Sequence, residues 1–196
     1  GNSLAVARDL AERLDARLIP VVSMMSMDDI SIEADAVGFV FPIYDFKPPK
    51  IIDSFVHKIK NIESKYLFAV CTYGIATAGS LPYFSKTVQS CGGSLSAGFG
   101  VVMPHNGIGC GSFTEAEHEK RFEMWRVKSE EICDYISSRK KGKIESSSRF
   151  FCFLKPVFFK LIPVLFRFIR QALLEGFKSL ALTSDGNCNG CGVCGR

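Results

Sequence analysis

Hydrophobic and polar positions alternate between two patterns over the first 138 residues. Continuous apolar runs such as 36–41 and 66–72 are typical of strands that are buried on both faces of a sheet. Between these runs, apolar residues recur every three or four positions, as in amphipathic helices. The predicted strands are 16–22, 36–41, 66–72 and 95–103, and the predicted helices are 2–14, 50–62, 80–91 and 114–138. This alternation predicts an α/β domain with a doubly wound parallel sheet over residues 1–138.

The carboxyl ends of parallel strands meet at one edge of such a sheet, and ligands bind in the crevice at that edge. The segments that follow the predicted strands are 42–50, 72–80 and 103–112. These segments, together with the helix that begins at Gly1, are therefore the first places to look for a binding site.

Composition supports a folded chain with two unlike parts. With 47% hydrophobic and 22% charged residues among 196, the chain is not a disordered one. The net charge of +4 conceals an asymmetry: residues 1–138 carry 13 Lys or Arg against 17 Asp or Glu, whereas residues 139–196 carry 11 against 3. The two parts therefore have formal charges of −4 and +8, and we expect them to have different roles.

A basic, Phe-rich connector is predicted over residues 139–182. It begins with a basic, Ser-rich stretch, for which a solvated linker is favoured over nucleic-acid binding because no platform of base-stacking aromatics adjoins it. Farther along, the longest uncharged run is 161–166, too short to span a membrane. Two alternatives remain: the apolar part packs as a strap against the α/β domain, or it lies on an anionic membrane surface.

Three closely spaced cysteines form the most specific motif of the sequence. Cys188, Cys191 and Cys194 have the C-x₂-C-x₂-C spacing that ligates a 4Fe–4S cluster in bacterial ferredoxins. The alternatives are a zinc loop or a turn without a metal. Zinc sites usually add a second cysteine pair or a histidine, and no histidine follows His118. The spacing therefore favours an iron–sulfur cluster.

The crevice segments contain residues suited to a flavin. A helix start with a hydroxyl is a ready anion site, and an aromatic residue and a Gly-rich loop follow two of the strands. Taken singly, each is more typical of a cap or a surface turn. Taken together, they predict a flavin site. The candidate cofactor contacts are Gly1, Asn2, Ser3, Pro42, Ile43, Tyr44, Thr72, Tyr73, Gly74 and Gly79.

These motifs resemble those of a known family. Gly1-Asn2-Ser3 is similar to the end of the phosphate loop of flavodoxin-like proteins, and the whole chain resembles bacterial and archaeal proteins that join a flavodoxin-like domain to a bacterial-type 4Fe–4S ferredoxin. The resemblance implies that the helix start holds the FMN phosphate. It further implies that Tyr44, beside Pro42 and Ile43, stacks on the isoalloxazine, and that residues 72–74 form the opposite wall. The three terminal cysteines would ligate iron.

The resemblance also implies an organisation and a function. Residues 1–138 would be the FMN-binding domain with strand order 2-1-3-4-5, residues 139–182 the connector, and residues 183–196 the start of an α+β ferredoxin-like module. The expected function is electron transfer between FMN and iron–sulfur clusters, two of them in the full-length protein. We expect the protein to act in the cytoplasm, as a carrier or oxidoreductase component with redox partner proteins. The alternative is a non-catalytic docking module without flavin, whose connector contacts a membrane surface or a partner.

The resemblance places the first strand, the front of the phosphate loop and most of the ferredoxin module outside residues 1–196. From the sequence we therefore expect this span neither to fold cooperatively nor to retain FMN or a stable cluster.

Overall fold

The computed structural model describes residues 1–44, 46–74, 76–104 and 114–146. Its helices are α1 (Asn2–Arg13), α2 (Lys50–Val56), α3 (Ser80–Ser90) and α4 (Glu115–Ser137). Its strands are β1 (Ala36–Pro42), β2 (Tyr66–Tyr73), β3 (Leu95–Val102) and β4 (Lys143–Ile144), and short 3₁₀ turns occupy Val21–Met24 and Ile62–Ser64. No helix in this part of the chain combines the length and apolar character needed to cross a bilayer.

The strands form one parallel sheet in the order β1-β2-β3-β4. In the middle of the sheet, Val40 of β1 lies beside Val70 of β2, which lies beside Phe99 of β3. Because β2 has neighbours on both sides and is covered on both faces, nearly all of its residues are buried. The consecutive neighbours β1, β2 and β3 correspond to the 3-4-5 part of the predicted strand order.

Alternate residues of the strands supply two separate cores. On one face, Phe39, Phe41 and Leu67 pack with residues of α2 and α3. On the other face, Phe68 and Phe99 pack with residues of α1 and α4. Helices therefore cover both faces, and the prediction of a doubly wound α/β sheet is confirmed.

The predicted strand over 16–22 is wrong. Leu18, Ile19 and Val22 are exposed, the last to 74%, and the chain here leads into the 3₁₀ turn. An apolar run becomes a strand only when another strand satisfies its backbone, and among the described residues no strand pairs with this run.

The second predicted helix is shorter than its apolar pattern suggests. Helix α2 ends at Val56, after which the chain forms a parallel bridge between Ile30 and Ile59. The Ile30 amide donates to the Lys58 carbonyl at 2.8 Å, and the Lys60 amide donates to the Ile30 carbonyl at 3.0 Å. Ile59 is still buried, but from an extended segment rather than from a helix.

The fourth strand comes from the stretch that the sequence indicates as a basic linker. Lys143 and Ile144 pair with β3, and the next residue, Glu145, accepts a hydrogen bond from the Gly100 amide at 2.9 Å. The Lys128 ammonium on α4 lies 2.5 Å from the other Glu145 carboxylate oxygen. The chain after α4 is thus attached to the edge of the sheet as far as residue 145.

Candidate functional site

A pocket of about 460 Å³ opens at the carboxyl ends of β1, β2 and β3. Its volume is within the range typical of small-molecule and cofactor sites, roughly 300–1,000 Å³. The lining residues are Gly1, Asn2, Ser3, Leu4, Pro42, Ile43, Tyr44, Thr72, Tyr73, Gly74, Met103 and Pro104. The structure therefore brings together every predicted cofactor contact except Gly79.

The N-terminus of α1 forms one side of the pocket, and two side chains fix its position. The side-chain amide nitrogen of Asn2 donates to the Pro104 carbonyl at 2.8 Å, and the Ser3 hydroxyl lies 2.7 Å from the Thr72 hydroxyl. The first amides of a helix have no intrahelical acceptor and make its N-terminus electropositive. When Thr72 donates to Ser3, the Ser3 hydroxyl proton is available to a ligand. This side of the pocket is suited to an anion.

Tyr44 stands at the rim of the pocket on a tight turn that follows β1. Its amide and carbonyl both bond to Lys47, each at 2.9 Å, and Phe46 within the turn has a φ of 63°. The Ile43 amide donates to the Thr72 carbonyl at 3.0 Å, which joins this turn to the end of β2. Tyr44 is 64% exposed, which leaves it accessible for stacking.

Tyr73 and Gly74 form the wall that continues from β2. A Cβ at Gly100 would lie 3.0 Å from the Tyr73 ring and 2.5 Å from the Thr77 methyl group, so the ring rests in a space left by a glycine. Burial raises the pKa of the Tyr73 hydroxyl, with smaller contributions in the same direction from Cys71 and Glu145. Tyr73 is therefore a neutral phenol at physiological pH.

Gly79 lies apart from this set of residues. It is the N-cap of α3 and has a φ of 86°, a left-handed conformation that favours glycine. The structure thus gives Gly79 a role in starting α3, and it is not among the residues that line the pocket.

Four residues that shape the site were not among the predicted cofactor contacts. Leu4, Met103 and Pro104 line the pocket, although the segment after β3 was predicted to face the crevice. Arg121 of α4 lies outside the lining but donates to carbonyl groups of two lining residues. Nothing in the sequence distinguishes Arg121 from the other charged residues of α4.

The thiols of the described region are not arranged for metal binding. Cys71 is buried, and this burial raises its pKa to about 12, so it stays protonated. Among the described residues, no group of three or more His, Cys, Asp or Glu could hold a metal ion. The predicted iron ligands Cys188, Cys191 and Cys194 lie outside the described residues.

Comparison with known proteins gives similar structures but no similar sequences. No family model and no curated protein matches the chain. The Trp repressor binding protein from Bacillus subtilis is 16% identical with a TM-score of 0.45, over 66% of this chain and 88% of that one. An azoreductase from Bacillus anthracis str. Sterne is 14% identical with a TM-score of 0.34, over 67% and 61% of the two chains.

An FMN-dependent NADH-azoreductase from Bacillus anthracis str. Ames Ancestor, solved in complex with FMN, is also similar. It is 12% identical with a TM-score of 0.33, over 66% of this chain and 64% of that one. The fold itself is evident from the parallel strand order β1-β2-β3, with helices on both faces and the pocket at the carboxyl edge. The fold is flavodoxin-like.

Proposed function

We propose that the pocket binds FMN and that the protein transfers electrons between this flavin and an iron–sulfur cluster. The observation that carries the flavin part is the composition of the pocket. A helix N-terminus, an exposed tyrosine and a wall formed by the end of β2 converge on one cavity of suitable size.

The phosphate of FMN fits the α1 side of the pocket. An anion there would meet the first amides of α1 and the Ser3 hydroxyl, which Thr72 holds in place at 2.7 Å. The asparagine side chain is already bonded to Pro104, so Asn2 would contribute its backbone amide rather than its side chain.

The isoalloxazine fits between the Tyr44 turn and the wall at residues 72–74. Tyr44 would stack on the ring system, since its side chain is exposed at the rim, while Tyr73 is held back against Gly100. The formal charge of −4 over residues 1–138 would disfavour added negative charge in the pocket and so keep the potential of the flavin low. When bound, FMN would supply the one- and two-electron chemistry.

The iron–sulfur part of the proposal depends on the spacing of Cys188, Cys191 and Cys194. We further propose redox proteins as partners and the basic connector as the segment that contacts them or an anionic membrane. Anaerobic reconstitution with iron and sulfide, followed by iron analysis and absorbance, tests the cluster. Flotation with vesicles of anionic lipid tests the membrane contact.

Titration with FMN and with riboflavin tests the flavin part. Riboflavin lacks the phosphate, so we expect it to bind more weakly than FMN. We expect Ser3→Ala to weaken FMN by about tenfold, the equivalent of one charge-assisted hydrogen bond, and to leave riboflavin unchanged. Ser23→Ala is the matched control, because the Ser23 hydroxyl bonds to the nearby Pro20 carbonyl and Ser23 does not line the pocket.

Binding of FMN by residues 1–196 would contradict the expectation from the sequence that this span lacks bound flavin. If FMN fluorescence is not quenched at high protein concentration, the proposed flavin binding is refuted. The alternative function, a docking module that binds no flavin, would then be favoured. Equal affinity for FMN and riboflavin would refute the phosphate site at α1.

A further inference from the structure

Arg121 connects two walls of the pocket through hydrogen bonds to their backbone carbonyl groups. It lies on α4, is half-buried, and is not itself among the lining residues. One guanidinium nitrogen, Nη1, donates to the Met103 carbonyl at 2.5 Å and to the Gly74 carbonyl at 3.2 Å. These two carbonyls belong to the segments that follow β3 and β2, and both residues line the pocket.

A backbone hydrogen bond joins these two segments where the strands end. The Met103 amide, just after β3, donates to the carbonyl of Tyr73, the last residue of β2, at 2.9 Å. The contacts from Arg121 lie on the next carbonyl of each segment, where the parallel ladder has ended. Hydrogen bonds from a charged donor are stronger than neutral ones, and a rigid guanidinium fixes the distance between its acceptors.

We propose that Arg121 is a positioning residue for the flavin site. It holds the segments after β2 and β3 at the spacing that admits a planar ring, and it holds their peptide groups in one orientation. The inference rests on the proposed binding of FMN. It assigns Arg121 no contact with the ligand, so its effect is transmitted through Gly74 and Met103.

The test compares Arg121→Met, Arg121→Lys and Arg126→Met in the full chain. Methionine keeps the apolar length of the side chain but removes both hydrogen bonds, whereas lysine keeps the charge but replaces the planar guanidinium by a single ammonium group. Arg126 is the matched control, because it lies on the same helix, is exposed, and pairs with Glu123 rather than with the pocket segments. Unchanged emission from Trp125, the only tryptophan, one helical turn after Arg121, would show that α4 is still packed.

Two readouts decide the outcome. We expect Arg121→Met to raise the Kd for FMN about tenfold, Arg121→Lys about threefold, and Arg126→Met less than twofold, as the loss of charged donors to carbonyl groups suggests. The second readout needs no flavin: the Met103 amide, measured by hydrogen exchange, should exchange faster in Arg121→Met than in Arg126→Met.

Equal FMN affinity in Arg121→Met and the unsubstituted protein would overturn the inference, as would equal losses in Arg121→Met and Arg126→Met. A protein that binds no FMN at all would instead overturn the proposed function. In that case faster exchange of the Met103 amide in Arg121→Met would still support the structural part of the inference, and unchanged exchange would overturn it.

Discussion

Gly100 is a position where one methyl group should disturb both stability and the pocket. It lies in β3, and a Cβ there would approach the Thr77 methyl to 2.5 Å and the Tyr73 ring to 3.0 Å. Carbon atoms pack well at about 3.5–4.0 Å, so Gly100→Ala forces either Thr77 or the Tyr73 wall to move. The Gly100 amide also donates to Glu145 at 2.9 Å, which limits how far the strand can shift in response.

The net effect is a balance of two terms. Replacing glycine by alanine within a strand should stabilise by about 0.5–1 kcal/mol, because the unfolded chain loses freedom. Overpacking costs about 1–3 kcal/mol. A contact of 2.5 Å favours the upper part of that range, about 2–3 kcal/mol. We therefore expect a net loss of about 1–2.5 kcal/mol, or a fall in Tm of about 2–10 °C for a chain of this size.

Gly98→Ala is the matched control two residues earlier on the same strand. Its Cβ would meet Leu81 Cδ2 at 3.3 Å and Ile144 Cγ2 at 3.5 Å, both at movable ends of side chains. We expect the stability of this variant to stay within about 0.5 kcal/mol of the unsubstituted protein. Combining Gly100→Ala with Thr77→Ser removes the methyl group involved in the nearest clash and should restore most of the loss.

Denaturant unfolding followed by Trp125 fluorescence measures these differences. The two buried cores lead us to expect a transition in the unsubstituted chain, in contrast to the expectation from the sequence alone. If Gly100→Ala proves as stable as Gly98→Ala, or if Thr77→Ser brings no recovery, then close packing at Gly100 does not limit the stability of the protein.

Three further predictions concern α4, the ion pairs beside it, and a buried thiol. Thr114→Ala should cost about 0.5–2 kcal/mol of stability in thermal unfolding, because Thr114 forms a reciprocal capping box at the start of α4. Hydrogen bonds from Lys143 and Lys128 lower the pKa of the Glu131 carboxyl group below its ordinary value of 4.5. The ionised carboxylate therefore contributes its full share of stability above pH 4.5, and this share is lost as the pH falls through the lowered pKa. Glu131→Gln should therefore flatten the decline of the free energy of unfolding in acid, by less than about 1 kcal/mol because the pair is partly exposed. An unchanged slope of stability against pH would contradict this. Finally, Cys71 should resist alkylation at pH 8 until the protein unfolds, as mass spectrometry of the labelled chain can show.

The sequence predicts those elements whose pattern is enforced by burial on both faces. The runs that became β1, β2 and β3 were located within a residue or two, because a parallel strand between two layers of helices must be apolar throughout. The run at 16–22 is less uniform, since it contains Arg17 and Pro20, and a proline cannot donate to a strand ladder. It also has no strand beside it among the described residues. β4 was missed for the opposite reason: two residues, one of them lysine, are too short to form a pattern.

The pocket was predictable as far as it depends on topology. Once the strands are parallel, the residues that follow them must meet at one edge, which is why Ser3, Tyr44 and Thr72 were brought together as expected. The bonds that shape the pocket were not predictable. Arg121 looks like a solvated residue of a charged helix, and its acceptors at Gly74 and Met103 are defined only by the folded backbone. Gly79 was assigned to the site because glycine serves turns and binding loops alike.

The hydrogen bonds from α1 to the carboxyl edge of the sheet join residues that are far apart in sequence, and this has a consequence for folding kinetics. Ser3 meets a partner 69 residues away, and Asn2 meets one 102 residues away. Contacts that close such long loops form late, after shorter-range pairing has reduced the entropic cost of closure. A ligand of this pocket should therefore slow unfolding while leaving the refolding rate nearly unchanged, since the transition state lacks the completed site. Ligand added to the refolding chain would stabilise the folded protein without accelerating its formation.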